Sequence, residues 1–235
     1  MPRFGVFFVP AARTAFYRLG TSIIGYDVRS QQPAHQDNFI RKQLPEFDTA
    51  YVQRPYKHGI HCTLVAPQAC RYGDLDAIGY EITTALNSFE ASTEFLLEAG
   101  QEFVAFWGKK QQIVVLQYRA NPALLMLHTL LVVQLRHYAL PDADLPTQSV
   151  PHEYHRIQHY RYPFVFDGFT PHFTLLYPYK GGRVPQMQQV LYGLFGQFNH
   201  QVVDSICLMV QADKDAQWTI HREFQRMDFP KMPEA

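Results

Sequence analysis

The chain has 235 residues, 47% of them hydrophobic, which is enough to bury a substantial core. Its 21 lysine and arginine residues balance 21 aspartate and glutamate residues, and this net charge of zero argues against binding of long nucleic acid. A small anionic substrate remains compatible with that balance, because it needs only a few local cations.

The apolar segments are too short for an export signal or a membrane span. The N-terminal run is broken at once by Pro10, and the longest run, at 123–133, is interrupted by His128. The cysteines have no metal-type spacing and are expected to be free thiols in a reducing compartment: Cys62, Cys70 and Cys207. These features predict a soluble, cytoplasmic protein with no membrane partner.

The first half of the chain alternates apolar runs with helical patterns. Aromatic and β-branched residues predict one strand at 4–9 and another that contains His61 and ends at Pro67. Apolar residues at helical spacing predict helices at 12–24, before a turn near Gly25, and at 74–89. The polar residues 28–55 read as a long loop.

The second half continues the alternation, so the predicted class is α+β in a single domain over 1–235. Asn121-Pro122 predicts the start of a helix that stops before Pro141, and 141–163 form a polar segment rich in histidine and tyrosine. The remaining elements are a helix at 186–198 and strands at 93–98, 102–107, 112–118, 203–211 and 217–224.

Two heptads echo one another across this pattern. The stretch HCTLVAP at 61–67 and the stretch HFTLLYP at 172–178 share histidine, threonine, leucine and proline at identical positions. They are the only places where an H-x-[ST] triplet precedes an apolar residue, and each is followed by basic residues and a helical pattern. The echo indicates a duplicated unit.

The spacing of the heptads predicts an active site. Side chains at i and i+2 of a strand share a face, so His61 would project with Thr63, and His172 with Thr174, while Cys62 pointed into the core. If a pseudo-two-fold axis relates the units, the two pairs face one another across a groove. One imidazole then acts as base and the other as acid on a phosphate ester, whose oxygens accept hydrogen bonds from the threonines.

Paired H-x-T strands about a hundred residues apart resemble the two-histidine (2H) phosphoesterase superfamily, which includes cyclic nucleotide phosphodiesterases and RNA ligase-like proteins. The stretches at 16–27, 56–67 and 162–175 resemble, more narrowly, members linked to phosphonate metabolism. The resemblance implies two pseudo-symmetric βαβ-type lobes around a concave groove. It also implies a metal-independent phosphodiesterase, without cofactors, acting on a small cyclic phosphate or a 2′,3′- or 2′,5′-type diester.

Three further residues are candidates for holding the substrate. Lys180 and Arg183, with glycines between them, could neutralise an anion at the mouth of the groove. The resemblance suggests Tyr26 as an aromatic wall for a base or sugar. The expected partner is a small phosphorylated compound or nucleotide, with an RNA terminus as a further option.

Two alternatives remain open at the level of sequence. A binding module for nucleotides or RNA termini would keep the groove without catalysis. The histidines of 152–159 have helical spacing and could form a zinc site, although an exposed segment between the lobes is the simpler interpretation: His152, His155 and His159. His58 precedes His61 by three residues, would face away on a regular strand, and is interpreted as structural.

Overall fold

The computed structural model describes residues 1–35, 43, 47–141 and 151–225. The main sheet of the described residues contains eight strands: β1 (Arg3–Phe8), β4 (Cys62–Ala69), β5 (Leu96–Trp107), β6 (Ile113–Ala120), β7 (His172–Leu176), β8 (His200–Val202), β9 (Ser205–Gln211) and β10 (Thr219–Gln225). Neighbouring strands are antiparallel and lie in the order β10-β9-β1-β4-β7-β6-β5-β8. A separate two-stranded ribbon consists of β2 (Tyr26–Asp27) and β3 (Gln32–Pro33).

The two heptads lie on the central pair of strands, β4 and β7, which run antiparallel with Cys62 opposite Phe173. Each of these strands is the inner member of a four-stranded half, one containing β1, β9 and β10 and the other containing β5, β6 and β8. The predicted mixture of helices and strands, arranged in two halves about the heptads, is confirmed.

The described residues include five α-helices of ten or more residues, and the first and third of them start with local side-chain caps. The Thr14 hydroxyl accepts a hydrogen bond from the amide of Tyr17, and the Asn121 side chain accepts one from the amide of Leu124. Gly25 ends the first helix in a left-handed conformation, with φ of 83°, which glycine adopts without a steric penalty. The helices are α1 (Ala15–Ile24), α2 (Leu75–Asn87), α3 (Pro122–Leu135), α4 (Pro151–Tyr160) and α5 (Val184–Phe195).

An aromatic cluster forms the core behind the central strands. Cys62 and Phe173 are fully buried, and the Phe173 ring contacts Phe16 of α1 with 4.8 Å between ring centroids. Phe8 and Tyr118 approach the same ring edge-on. Because successive side chains of a strand alternate between faces, this packing directs the histidines and threonines of both heptads to the opposite face of the sheet.

The strand that follows His61 does not end at Pro67, as predicted, but continues to Ala69. Its register against β1 shifts between Val65, opposite Val6, and Gln68, opposite Phe4. The proline lies in this bulge, where no amide is needed for the ladder, so it does not terminate the strand.

Other boundaries also differ from the predictions. The strands predicted at 93–98 and 102–107 are one strand, β5, with an irregularity in its pairing to β6 between Ala99 and Val104. The region predicted as a strand at 203–211 is preceded by the short edge strand β8. The polar segment 141–163 contains helix α4, whose three-to-four-residue histidine spacing was a helical signal. Within the described residues, no helix combines the length and apolarity needed to cross a membrane.

Candidate active site

The two His/Thr pairs meet across the β4–β7 junction. With Cys62 opposite Phe173, continuing the register by one residue in each direction brings Thr63 opposite His172, and His61 opposite Thr174. Directly opposed residues of antiparallel strands share a face and have Cβ atoms about 4.5–5.5 Å apart. Each histidine is therefore the cross-strand neighbour of the other pair's threonine.

Both imidazoles are held by the same local hydrogen bond. His61 Nδ1 lies 2.9 Å from the carbonyl oxygen of Gly59, and His172 Nδ1 lies 2.8 Å from that of Thr170, in each case two residues earlier. A carbonyl oxygen can only accept, so Nδ1 carries the proton in both rings. Nε2 is then the unprotonated nitrogen of each neutral imidazole and can accept a proton from a ligand.

Burial keeps these imidazoles neutral in the absence of a ligand. Desolvation, with a smaller contribution from His172, lowers the pKa of His61 from 6.5 to about 4. Desolvation also lowers the pKa of His172. Either ring could become cationic beside a bound anion, since an opposite charge raises the pKa of a histidine.

His61 is packed between rings on its side of the sheet. The Phe7 ring meets it edge-on at 5.0 Å, and the His58 ring stacks on it at 5.0 Å. His58 in turn stacks on Trp218 at 5.2 Å. The expectation that His58 faces away was wrong, because it ends a short 3-10 turn at Pro55–Lys57 rather than extending the strand. Desolvation first and His61 second lower the pKa of His58 to about 3.

His172 has different neighbours. The Trp107 indole lies 4.4 Å from it, centroid to centroid, and donates a hydrogen bond of 3.2 Å to the amide oxygen of Gln117. Gln117 pairs directly with His172 across β6 and β7. Thr63, His172 and Gln117 thus form a polar row over three adjacent strands.

A cavity of about 550 Å³ opens beside this row. Thr63, His172, Gln117 and Trp107 line one side of it. The rest of its wall is largely aromatic and apolar, with Tyr160, Tyr162, Phe164, Phe169, Leu64 and Val132 among its residues. Such a cavity suits the organic part of a ligand whose phosphate lies against the polar row.

Buried His128 joins the wall of this apolar cavity to the first motif. Its Nδ1 donates to the carbonyl oxygen of Leu64 at 2.7 Å, and its Nε2 accepts from the amide of Phe166 at 3.1 Å. Its ring stacks on Phe169 at 3.9 Å. Both nitrogens are thereby satisfied, which explains a histidine within the apolar run of α3.

A second cavity, of about 380 Å³, adjoins the first and shares Ala66, Gln68 and Tyr162 with it. His58 and Trp218 form part of its wall, so it begins one ring away from His61. Four of the residues that line it are cationic: Arg3, Lys57, Arg161 and Lys214. We call the two spaces the apolar cavity and the basic cavity.

The three substrate-binding candidates lie elsewhere: of the described residues that line either cavity, none is Lys180, Arg183 or Tyr26. Lys180 is exposed after β7, and Arg183 is exposed at the cap position of α5. Tyr26 is 2% exposed and packs on the Tyr56 ring. Their role in substrate binding stays a prediction that the linings of these two cavities do not support.

The Gly-Tyr-Asp turn at 25–27 anchors the N-terminal region. The Tyr17 hydroxyl donates to the Asp27 carboxylate, which also accepts from the amide of Arg29. Arg29 forms an ion pair with Glu223 of β10 at 2.9 Å. The conformation of the turn is therefore tied to the edge of the sheet.

The histidines of 152–159 fall on α4, although the side chain of His152 lies outside the described residues. His155 and His159 are exposed, with their rings 4.3 Å apart. In the described ranges, no three histidine, cysteine, aspartate or glutamate side chains gather in a way that could hold a metal ion. The helix instead contributes Tyr160 to the apolar cavity.

Sequence reasoning did not identify several of the cavity residues. The pairing of strands places Trp107 and Gln117 at the site, and the bulge in β4 precedes Gln68. No local sequence pattern predicts either feature. A signal did exist for His128, because a histidine inside an uncharged apolar helix needs buried partners.

A family model described as "Protein of unknown function (DUF1045)" matches residues 63–219. Among solved structures, that of Escherichia coli LigT complexed with 3′-AMP is similar at 14% identity, covering 96% of this chain and 98% of that one, with a TM-score of 0.47. One described as a phosphoesterase gives 12% identity, the same coverage and a TM-score of 0.46. Kluyveromyces marxianus Usb1 gives 9% identity, coverage of 93% and 97%, and a TM-score of 0.41. No curated protein matches the chain in sequence.

Proposed function

The chain belongs to the DUF1045 family, and we propose that it is a metal-independent phosphoesterase of the two-histidine type. It would hydrolyse a small cyclic phosphate, or a 2′,3′- or 2′,5′-type phosphodiester. The observation that carries this proposal is the matched pair of imidazoles. His61 immediately precedes β4, His172 begins the adjacent strand β7, and each donates Nδ1–H to the carbonyl two residues before it.

These bonds support acid–base catalysis because they fix each ring and its tautomer. One imidazole accepts a proton at Nε2 from the attacking water, whose oxygen forms the new bond to phosphorus. The other, as an imidazolium, gives its Nε2 proton to the oxygen that leaves as the old P–O bond breaks. Each positioned proton transfer contributes about 10²–10⁴ in rate. Because the two hydrogen bonds are equivalent, the roles can exchange with the orientation of the substrate.

Thr63 and Thr174 complete the proposed site. Each threonine is the cross-strand neighbour of the opposite motif's histidine, so a phosphate between the imidazoles comes within reach of both hydroxyls. Their O–H groups would donate to the non-bridging oxygens, where negative charge develops as the diester reacts.

The cavities support a small substrate. The apolar cavity has room for a base or another organic group, and its rings could stack on it. An RNA terminus could enter in the same way, since only its last nucleotide would need to reach the histidines. The resemblance to members linked to phosphonate metabolism makes a phosphorylated sugar a further candidate.

Turnover of a defined panel tests the proposal. It contains nucleoside 2′,3′-cyclic phosphates, phosphoribosyl 1,2-cyclic phosphate and a 2′,5′-linked dinucleotide, with phosphorus NMR to identify each product. We expect at least one compound to open to a phosphomonoester, with activity lost in a His61→Ala/His172→Ala double variant. Tight binding of a compound without turnover would instead favour a nucleotide-binding module.

A further inference from the structure

The basic cavity carries features that hydrolysis of a single phosphodiester does not require. Four cationic residues line a space of about 380 Å³, and no aspartate or glutamate is among the described residues of its wall. The cations come from four separate parts of the chain: Arg3, Lys57, Arg161 and Lys214. In a chain with zero net charge, this is a local concentration of positive charge.

The charge of Lys57 is only partly used by its neighbours. Lys57 Nζ donates one hydrogen bond, of 3.3 Å, to the carbonyl of Lys214, and an ammonium group has two further protons. The Asp213 carboxylate is stabilised mainly within its own loop, where it accepts hydrogen bonds from the amides of Asp215 and Ala216 at 2.9 and 3.0 Å. The positive charge of Lys57 contributes to lowering the pKa of Asp213, but Asp213 is not among the described residues that line the basic cavity.

The basic cavity is joined to the candidate active site in two ways. His58 lines it and stacks on His61. Gln68 lines both cavities, is 6% exposed, and donates its amide nitrogen to the carbonyl of Tyr160 at 3.3 Å. In the described part of the chain, the buried amide oxygen of Gln68 has no hydrogen-bond partner. Such an acceptor is costly unless a ligand or water donates to it.

We propose that the basic cavity binds a second phosphate of the substrate, distinct from the one between His61 and His172. The substrate class is then a small phosphodiester whose hydroxyl-bearing skeleton also carries a phosphomonoester. The skeleton passes from the apolar cavity to the basic cavity at Gln68, whose amide oxygen accepts a hydrogen bond from one of the skeleton's hydroxyls. The second phosphate then binds the cations of the basic cavity. This inference rests on the proposed function for the position of the first phosphate.

Binding of product-like ligands tests the inference without requiring turnover. Isothermal titration compares adenosine 3′,5′-bisphosphate with adenosine 3′-monophosphate on the wild-type protein and on Lys57→Gln/Lys214→Gln. Exposed ion pairs each contribute up to about fivefold in affinity, so we expect the wild type to prefer the bisphosphate by about tenfold or more. The double variant should lose most of that preference while binding the monophosphate as before.

The matched control is Lys109→Gln/Lys110→Gln, which removes two exposed lysines at the β5–β6 turn and should leave the preference intact. Lys214→Gln alone should give an intermediate preference. Equal binding of the two ligands by the wild type, failure of both to bind, or a preference unchanged in Lys57→Gln/Lys214→Gln would each overturn the inference. If the bisphosphate is preferred but no panel compound is hydrolysed, the basic cavity stands and the proposed catalysis fails.

Discussion

The two motifs have the same local geometry in different surroundings. His61 and His172 each donate Nδ1–H to the carbonyl two residues earlier, and each opposes a threonine of the other strand. Around His61, however, rings pack closely and lead to the basic cavity, whereas His172 borders the larger apolar cavity. The part repeated in both halves is the part that proton transfer needs. The part that differs would determine which substrate enters and in which direction.

The largest expected effect tests the equivalence of the motifs. Replacing either His61 or His172 with alanine should lower kcat/KM for the hydrolysed panel compound by at least about a hundredfold, since each removes one positioned proton transfer. His155→Ala, an exposed change on α4, is the control and should retain activity. If one of the two motif histidines proves dispensable in a folded variant, the motifs are not functionally equivalent and the two-histidine mechanism is wrong.

His128 joins the first motif to the wall of the apolar cavity, and its ionisation should weaken the fold in acid. Burial lowers its pKa from 6.5 to about 4, so the unfolded chain binds a proton there before the native state does. Stability from this group is therefore complete above pH 6.5 and is lost as the pH falls towards 4. The contribution lost between pH 7 and pH 5 is about 2 kcal/mol.

Urea unfolding at pH 7 and pH 5 measures this loss for the wild type and for His128→Gln, which cannot titrate at this position. The variant should be less stable at pH 7, because it breaks the bonds to Leu64 and Phe166. Its stability should nevertheless change less with pH than that of the wild type. If the free energy of unfolding changed equally with pH in the two proteins, His128 would not be the source of the loss of stability in acid.

How far the site could be predicted depended on the range of the interactions involved. The two-residue alternation of a strand was enough to pair His61 with Thr63 and to send Cys62 into the core, where it is fully buried. The echo between heptads suggested that the pairs converge, and β4 and β7 are neighbours. Both inferences rest on local geometry or on repetition of it.

Contacts between distant segments could not be predicted. Lys180 and Arg183 follow the second motif closely in sequence, but neither is among the described residues lining the two cavities, and the basic cavity draws its cations from elsewhere. Sequence proximity was a poor guide because a strand carries the chain away from its own start. His58 stacks on His61 because a 3-10 turn interrupts the extended chain.

The pH dependence of catalysis should reveal the low pKa values of the pair. One imidazole must be protonated and the other neutral in the free enzyme, and burial lowers the pKa of His61 to about 4 and lowers that of His172 from its usual value. The bell-shaped profile of kcat/KM should therefore have its maximum below the usual histidine pKa of about 6.5. Above pH 6.5, kcat/KM should fall about tenfold per pH unit, as the required imidazolium becomes scarce. A maximum above pH 7 would contradict the burial of both rings.

Salt should distinguish a small substrate from a long one. The basic cavity could neutralise only a few phosphates, and each contributes about −0.7 to −0.9 to the slope of log affinity against log salt. We expect a slope of about −1 to −2 for a mono- or dinucleotide, and the same slope for longer oligonucleotides ending in a cyclic phosphate. A slope that steepens with chain length, without preference for the cyclic end, would support an RNA-binding module instead.

A chelator should have the smallest effect, because the two matched imidazoles are proposed to perform both proton transfers. Dialysis against EDTA should change kcat/KM by less than about twofold, well below the 10²–10⁴ of a lost proton transfer. The rival zinc site on α4 makes the opposite prediction: activity would disappear with EDTA, return with zinc or manganese, and fall in both His155→Ala and His159→Ala. The zinc content of the His61→Ala variant should be measured in the same experiment. If the motif histidines were metal ligands, His61→Ala would lower zinc retention after dialysis, whereas an acid–base role changes the rate and leaves the metal content unaltered.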